Sequence, residues 1–123
     1  MTTGRPWWSG TVVYQLIVRS YSDGNGDGIG DFKGLAARLP YLRWLGVKTL
    51  WLTPIYPSPL RDGGYDITDF KGIHPDLGDL ASFHRFLTAA HSQGMRVILD
   101  LVLNHTSDLH PWFQRARWAP KGS

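Results

Sequence analysis

The chain has 123 residues, 42% of them hydrophobic, a net charge of +3 and no cysteine, which describes one modest globular domain and excludes disorder, a disulfide framework and a thiolate metal site. Lys and Arg are scattered singly among acids, with no basic run to track a phosphate backbone, so nucleic acid is not an expected partner. The start, Met1 to Trp8, lacks an apolar core of signal-peptide length, and no stretch approaches the ~20 apolar residues of a membrane span; a protein without a membrane partner, cytoplasmic in location, is expected.

Val12 to Val18, rich in β-branched and aromatic residues, reads as a first strand. A loop of alternating acids and glycines, Asp23 to Asp31, follows. Leu35, Leu39, Leu42 and Leu45 then mark one helix face, stopped by Gly46. Pro40 falls inside that helix and removes a backbone donor, so a kink or two short helices is expected. Val47 to Leu52 is a second strand, and the prolines at 54, 57 and 59 rule out its continuing as an interior strand. A long polar, Gly-rich connection runs to about Gly78. Leu80, Phe83, Leu87 and Ala90 repeat at helical spacing between an N-cap at Asp79 and a stop at Gly94.

From Val97 to Asn104 the sequence suits a third strand, buried on both faces, with one carboxylate, Asp100, in its middle. An ionised group among Val, Ile and Leu is costly unless something pairs with it, so Asp100 is a satisfied buttress or part of a site. No neighbour in sequence obviously neutralises it. Asn104 and His105 fall where the strand should run out, and parallel α/β folds bind ligands at the carboxyl ends of strands.

Strand, helix, strand, helix, strand is the pattern of βαβ units and a parallel sheet. An open doubly wound fold would favour a phosphate-binding Gly-rich turn after the first strand, whereas the acids there would repel phosphate. The expected class is therefore α/β, a partial (β/α)₈ TIM barrel comprising the first three parallel strands and two helices. Such barrels need ~200 or more residues, so residues 1–123 are expected to be a piece truncated in the loop after the third strand.

Three constellations carry candidate chemistry. Asp23, Asn25, Asp27 and Asp31 occupy positions 1, 3, 5 and 9 of a loop with Gly28 at position 6 and the Ile29 carbonyl at position 7. Hard oxygen ligands at that spacing suit a structural Ca²⁺, with Mg²⁺ the alternative. The bidentate Glu of an EF-hand is missing, because position 12 is Gly34, and a strand precedes the loop. The reading against the metal is a solvated Asp/Asn/Gly turn. The second stretch, Arg61 to Ile67, holds Asp62, Tyr65 and Asp66 among glycines: a ring and carboxylates able to face one cavity and suited to a sugar, or else a solvated hairpin tip. The third is Asp100 with Asn104 and His105. Of the tryptophans, Trp51 reads as core and Trp7, Trp8, Trp112 and Trp118 as packing or surface residues. His84 and His91 are expected to face solvent from the second helix or to be partly packed.

Taken together, the Asp23 to Asp31 loop, Gly64-Tyr65-Asp66, and the run from Asp100 to Asn104 and His105 resemble the opening third of glycoside hydrolase family 13, the α-amylase family. Within it, Val18 to Ser20, Ser58 to Asp66 and His110 to Arg117 look most similar to the trehalose synthases (maltose α-D-glucosyltransferases), with α-glucosidases of the oligo-1,6-glucosidase type close behind. The resemblance implies that residues 1–123 are the N-terminal part of a retaining catalytic barrel acting on maltose or another α-glucoside, with oligomeric state open. It implies that Asp62 bonds the non-reducing glucose, Tyr65 stacks beneath it, and His105 donates to the same sugar. Asp100 would be a buttress pairing with an arginine from the next strand, and Asn104 a brace of the loop. The family's nucleophile and general acid lie on later strands, so no catalytic residue is expected in this chain, which is expected to be inactive and aggregation-prone alone. A truncated remnant that binds Ca²⁺ without turnover is the reading of another class.

Overall fold

The computed structural model describes residues 4–123; Met1, Thr2 and Thr3, the first of the residues read as carrying no export signal, lie outside the described residues. Three parallel strands, β1 (Val13–Leu16), β2 (Thr49–Leu52) and β3 (Arg96–Leu99), form one sheet in the order β1-β2-β3. The register is flush: Leu16 pairs with Leu52 and Leu52 with Leu99. All three strands therefore end at one edge, and the loops leaving them share one rim.

Helices α1 (Phe32–Trp44) and α2 (Leu80–Ser92) pack against each other and cover one face of the sheet. Leu16, Leu50 and Leu52 meet Leu35, Leu39, Leu42, Phe86 and Ala90 there in one buried cluster, with Phe32 and Phe86 tilted together at 5.4 Å. No helix covers the other face, where Gln15, Arg96 and Ile98 are exposed although Thr49 between them is buried. This corrects the expectation of a third strand buried on both faces. Alternation puts every second side chain on the uncovered side, where no described element packs over it.

Helix α1 runs through Pro40 as a single element, so two short helices are not what forms. Pro40 sits on the exposed side, while Leu35, Leu39 and Leu42 are each 1% exposed or less. Their burial outweighs the lost donor. Leu45, expected on that face, is instead the exposed C-cap. Helix α2 begins at Asp79, whose carboxylate accepts from the Ser82 N–H while the Ser82 hydroxyl accepts from the Asp79 N–H, and it ends before Gly94 at φ +76°.

Two further corrections concern the end of the chain. Strand β3 stops at Leu99 and not at Asn104. Its neighbour β2 ends opposite at Leu52, where the Thr53 N–H turns to the Leu16 carbonyl and Pro54 offers no donor, so nothing remains for Asp100 to pair with along a ladder. Leu101 and Leu103 are accordingly exposed. A third helix, α3 (Pro111–Arg117), follows; the expectation of two helices missed it. Its start signal is local: Pro111 at the first helical position, and a His110 ring nitrogen accepting from the Trp112 N–H.

Candidate functional site

Asp100 leaves the end of β3 on the same side of the sheet as Trp51, which pairs with Ile98 two residues earlier. The Trp51 indole N–H donates to Asp100 Oδ1 at 2.7 Å, and the Tyr65 hydroxyl donates to Oδ2 at 2.6 Å. The Tyr56 hydroxyl takes the Asp100 carbonyl at 2.8 Å. Three aromatic donors thus satisfy the residue that sequence left without a partner, and among the described residues no cationic side chain bonds it. The bond to Asp100 is the main cause that pushes the Tyr65 phenol up to about 12; burial and the charges of Asp100 and Asp62 add to it. Tyr65 is therefore a neutral donor with its ring fixed at the hydroxyl end. Tyr56 is raised as well, by burial first and by Asp100 second.

The loop that carries Tyr65 is tightly wound. Ser58 Oγ donates to Asp66 Oδ1 at 2.8 Å, and the N–H groups of Arg61 and Asp62 reach Asp66 Oδ2 at 3.0 Å and Oδ1 at 3.2 Å. Leu60 occupies the left-handed region at φ +60°, with its N–H on Ser58 Oγ. Burial works to raise the Asp66 pKa, but those bonds override it and leave the carboxyl below its ordinary value. Asp62 is exposed at the tip of this turn, and the Tyr65 N–H closes it on the Asp62 carbonyl at 3.0 Å.

Loops from β2 and β3 are stitched together by the Ser107 N–H on the Ile67 carbonyl at 2.9 Å and by an exposed Arg61–Asp108 pair at 3.2 Å. Asn104 and His105 are both exposed, joined by Asn104 Nδ2 and His105 Nδ1 at 3.0 Å. They border an open groove of about 840 Å³ that also takes in Phe70, Leu101 and Trp112. Of the expected site residues, then, Tyr65 and Asp100 are in direct contact, Asn104 and His105 touch each other, and Asp62 stands on the same rim. Among the described residues no hydrogen bond joins Asp62 to His105. Sequence reasoning missed the roles of Trp51 and Tyr56. For Trp51 the sequence signal was partial: only once β2 is known to pair with β3 in this register do its side chain and that of Asp100 fall on one face.

The acidic loop sits at the exit of β1. Asp23 Oδ1 accepts from the Gly26 N–H and Oδ2 from that of Gly28, both at 2.7 Å, and these bonds, Gly28 first, hold its carboxyl below the ordinary range. Asn25 Oδ1 and Asp27 Oδ1 each accept from the N–H two residues on. Asp31, 4% exposed, caps α1 through the Gly34 N–H at 2.7 Å. One carboxylate oxygen each from Asp23, Asp27 and Asp31 lies within 4.8 Å of the others. Ligands about 2.4 Å from a Ca²⁺ ion are at most about 4.8 Å apart, so three of the expected donors already lie at a compatible spacing. Gly34 permits this arrangement: a Cβ there would meet the Ser22 carbonyl oxygen at 1.9 Å.

A family profile described as "Alpha amylase, catalytic domain" matches residues 15–122. A trehalose synthase of Pimelobacter sp. (strain R48) is 55% identical over 116 residues, covering 94% of this chain and 20% of the relative. An alpha-glucosidase of Pediococcus pentosaceus is 54% identical over 111 residues, covering 90% and 20%. Among solved structures, a MutB mutant in complex with glucose superposes with a TM-score of 0.90 at 46% identity, covering 93% of this chain and 20% of that one. The chain thus spans about a fifth of the length of the relatives it matches. No helix of the described residues is long and apolar enough to cross a membrane.

Proposed function

The chain belongs to glycoside hydrolase family 13, the α-amylase family, and on that basis we propose that it is the N-terminal segment of a longer, cytoplasmic, retaining enzyme that converts maltose to trehalose by intramolecular glucosyl transfer. Its relatives are enzymes of sugar chemistry, and its partial barrel places the loops after β2 and β3 on the rim where such folds bind substrate. The observation that carries the reading is the clamp of Tyr65 on Asp100 beside the exposed Asp62. An aromatic ring held rigidly at its hydroxyl end offers its face to a pyranose, and a neighbouring carboxylate accepts from sugar hydroxyls.

In this reading Tyr65 stacks beneath the non-reducing glucose, while Asp62 and His105 bond its hydroxyls. Asp100 holds the ring in place, its oxygens taken by Trp51 and Tyr65, and Asn104 steadies His105. A retaining reaction needs two carboxyls about 5–5.5 Å apart, one attacking the anomeric carbon and one protonating the departing oxygen. Asp66 and Asp100 are held as acceptors inside the protein, and the family resemblance implies that both catalytic carboxyls lie on later strands, so the 123 residues alone are expected to be inactive. The released glucose then attacks the covalent glucosyl-enzyme through its anomeric hydroxyl, giving trehalose. Asp23, Asn25, Asp27, Asp31 and the Ile29 carbonyl would hold a Ca²⁺ ion, or Mg²⁺ in its place, and the carboxylates of Asp23, Asp27 and Asp31 lie close enough together to share it. When bound, the ion neutralises the loop's acids and pins it beside α1.

Chromatography of the sugars released from maltose by the full-length enzyme tests the reading: trehalose is expected. Glucose alone would favour the second reading, an α-glucosidase in which water resolves the intermediate, which the 54% identity to an alpha-glucosidase supports. A separate test, reading the DNA beyond the Ser123 codon, addresses the reading of another class: a stop followed by unrelated sequence would make the chain a remnant confined to cation binding.

A further inference from the structure

We propose that Asp66 is a positioning residue, holding the turn of residues 58–66 in the one shape that offers Asp62 and Tyr65 to a sugar. The inference rests on the reading that those two residues contact substrate. Asp66 is half-buried, and its carboxylate is filled by donors from its own loop: the Ser58 hydroxyl, the Arg61 N–H and the Asp62 N–H. These donors lie four to eight residues earlier, so one side chain sets the curvature of the whole segment. Within it Leu60 is held at φ +60°, a conformation that a branched side chain disfavours and that persists only where the surroundings impose it. The Asp62 amide is bonded directly by Asp66, so the backbone position from which Asp62 presents its carboxylate follows from the Asp66 anchor. Ser58 is fixed in turn from behind, its carbonyl meeting His74 Nε2 at 3.2 Å. A solvated hairpin tip would have none of this convergence.

The test is steady-state kinetics on maltose with the full-length enzyme. Asp66→Asn keeps the volume but turns an N–H₂ toward at least one of the loop's donors. It is expected to raise KM about tenfold with kcat within about twofold, because a misplaced contact to the sugar weakens substrate and transition state alike. Ser58→Ala, which removes a single bond, is expected to raise KM about threefold and to add almost nothing in the Asp66→Asn background. Leu60→Gly in that background should recover part of the loss, because glycine adopts positive φ without strain. A purely structural role would lower thermal stability without this pattern. An unchanged KM in a folded Asp66→Asn enzyme, or in Ser58→Ala where Asp66→Asn does not fold, overturns the proposal provided Asp62→Ala or Tyr65→Ala raises KM. If neither of those raises it, the sugar-site reading falls and the proposal falls with it.

Discussion

Tyr65→Phe removes one hydroxyl and leaves the ring, which makes it the cleanest probe of the Asp100 clamp. The bond it deletes is 2.6 Å long and runs to a carboxylate, the class worth about 1.5–3 kcal/mol when shielded from water. Both partners are half-buried, and water would re-solvate part of the carboxylate, so about 1 kcal/mol of lost stability is expected. Because Asp100 also meets Trp51 and lies open to later strands, the single mutant alone does not isolate the pair. A double-mutant cycle of Tyr65→Phe with Asp100→Asn in the full-length enzyme, read by urea midpoints, does isolate it, and a coupling of about 1 kcal/mol is expected. The same bond gives a pH signature. The Tyr65 pKa is raised from 10.0 to about 12, so its contribution is fully present below pH 10 and is lost as pH rises through about 12. Tyr65→Phe should abolish that alkaline loss, and absorbance titration should find one late-titrating phenol fewer. Additive effects within about 0.3 kcal/mol, together with an unaltered phenol titration, would refute the clamp.

Gly34→Ala would set a methyl against the Ser22 carbonyl; overpacking of about 3 kcal/mol exceeds the about 1 kcal/mol gained in helix propensity, so a net loss of about 2 kcal/mol is expected in chemical denaturation, and a neutral result would contradict the close approach. Pro40→Ala should stabilise the protein by about 1–3 kcal/mol, because the proline sits in the exposed interior of a continuous helix; a destabilised variant would mean that its ring packs where none is described. Chelation should lower the melting temperature and added Ca²⁺ restore it, the ion stabilising the fold by about 2.7 kcal/mol at one hundred times the dissociation constant. Asp27→Asn should shift that titration to higher Ca²⁺, and a melt indifferent to both agents would count against the cation.

Much of the fold was legible because its signals are local and repeated. The Asp79 cap, the Gly94 stop and the leucine face of α1 need no distant partner to be read. Strand length was not legible, because a strand ends where its neighbour ends: Leu101 to Leu103 are as apolar as Val97 to Leu99, and only the exit of β2 at Thr53 decides that the ladder stops. Helix α3 was missed because it is short and has no buried face to leave a periodic trace. In the site, residue types pointed to Asp62, Tyr65, Asp100 and His105, yet the bonds that fix them were hidden. Trp51 lies 49 residues from Asp100 and Tyr65 lies 35 away, separations that only the topology closes. Asp66 read as a sugar-facing or a solvated carboxylate and not as an anchor of its own loop, because convergence of backbone N–H groups leaves no mark on sequence.

The proposed conversion of maltose to trehalose turns on what becomes of a glucosyl group once it leaves maltose. Incubating the full-length enzyme with uniformly ¹³C-labelled maltose in excess unlabelled glucose, and following the products by NMR, reads this directly. Trehalose labelled in both rings is expected, because the departing glucose is recaptured before it escapes; labelled glucose with no trehalose would contradict intramolecular transfer and make the enzyme a hydrolase.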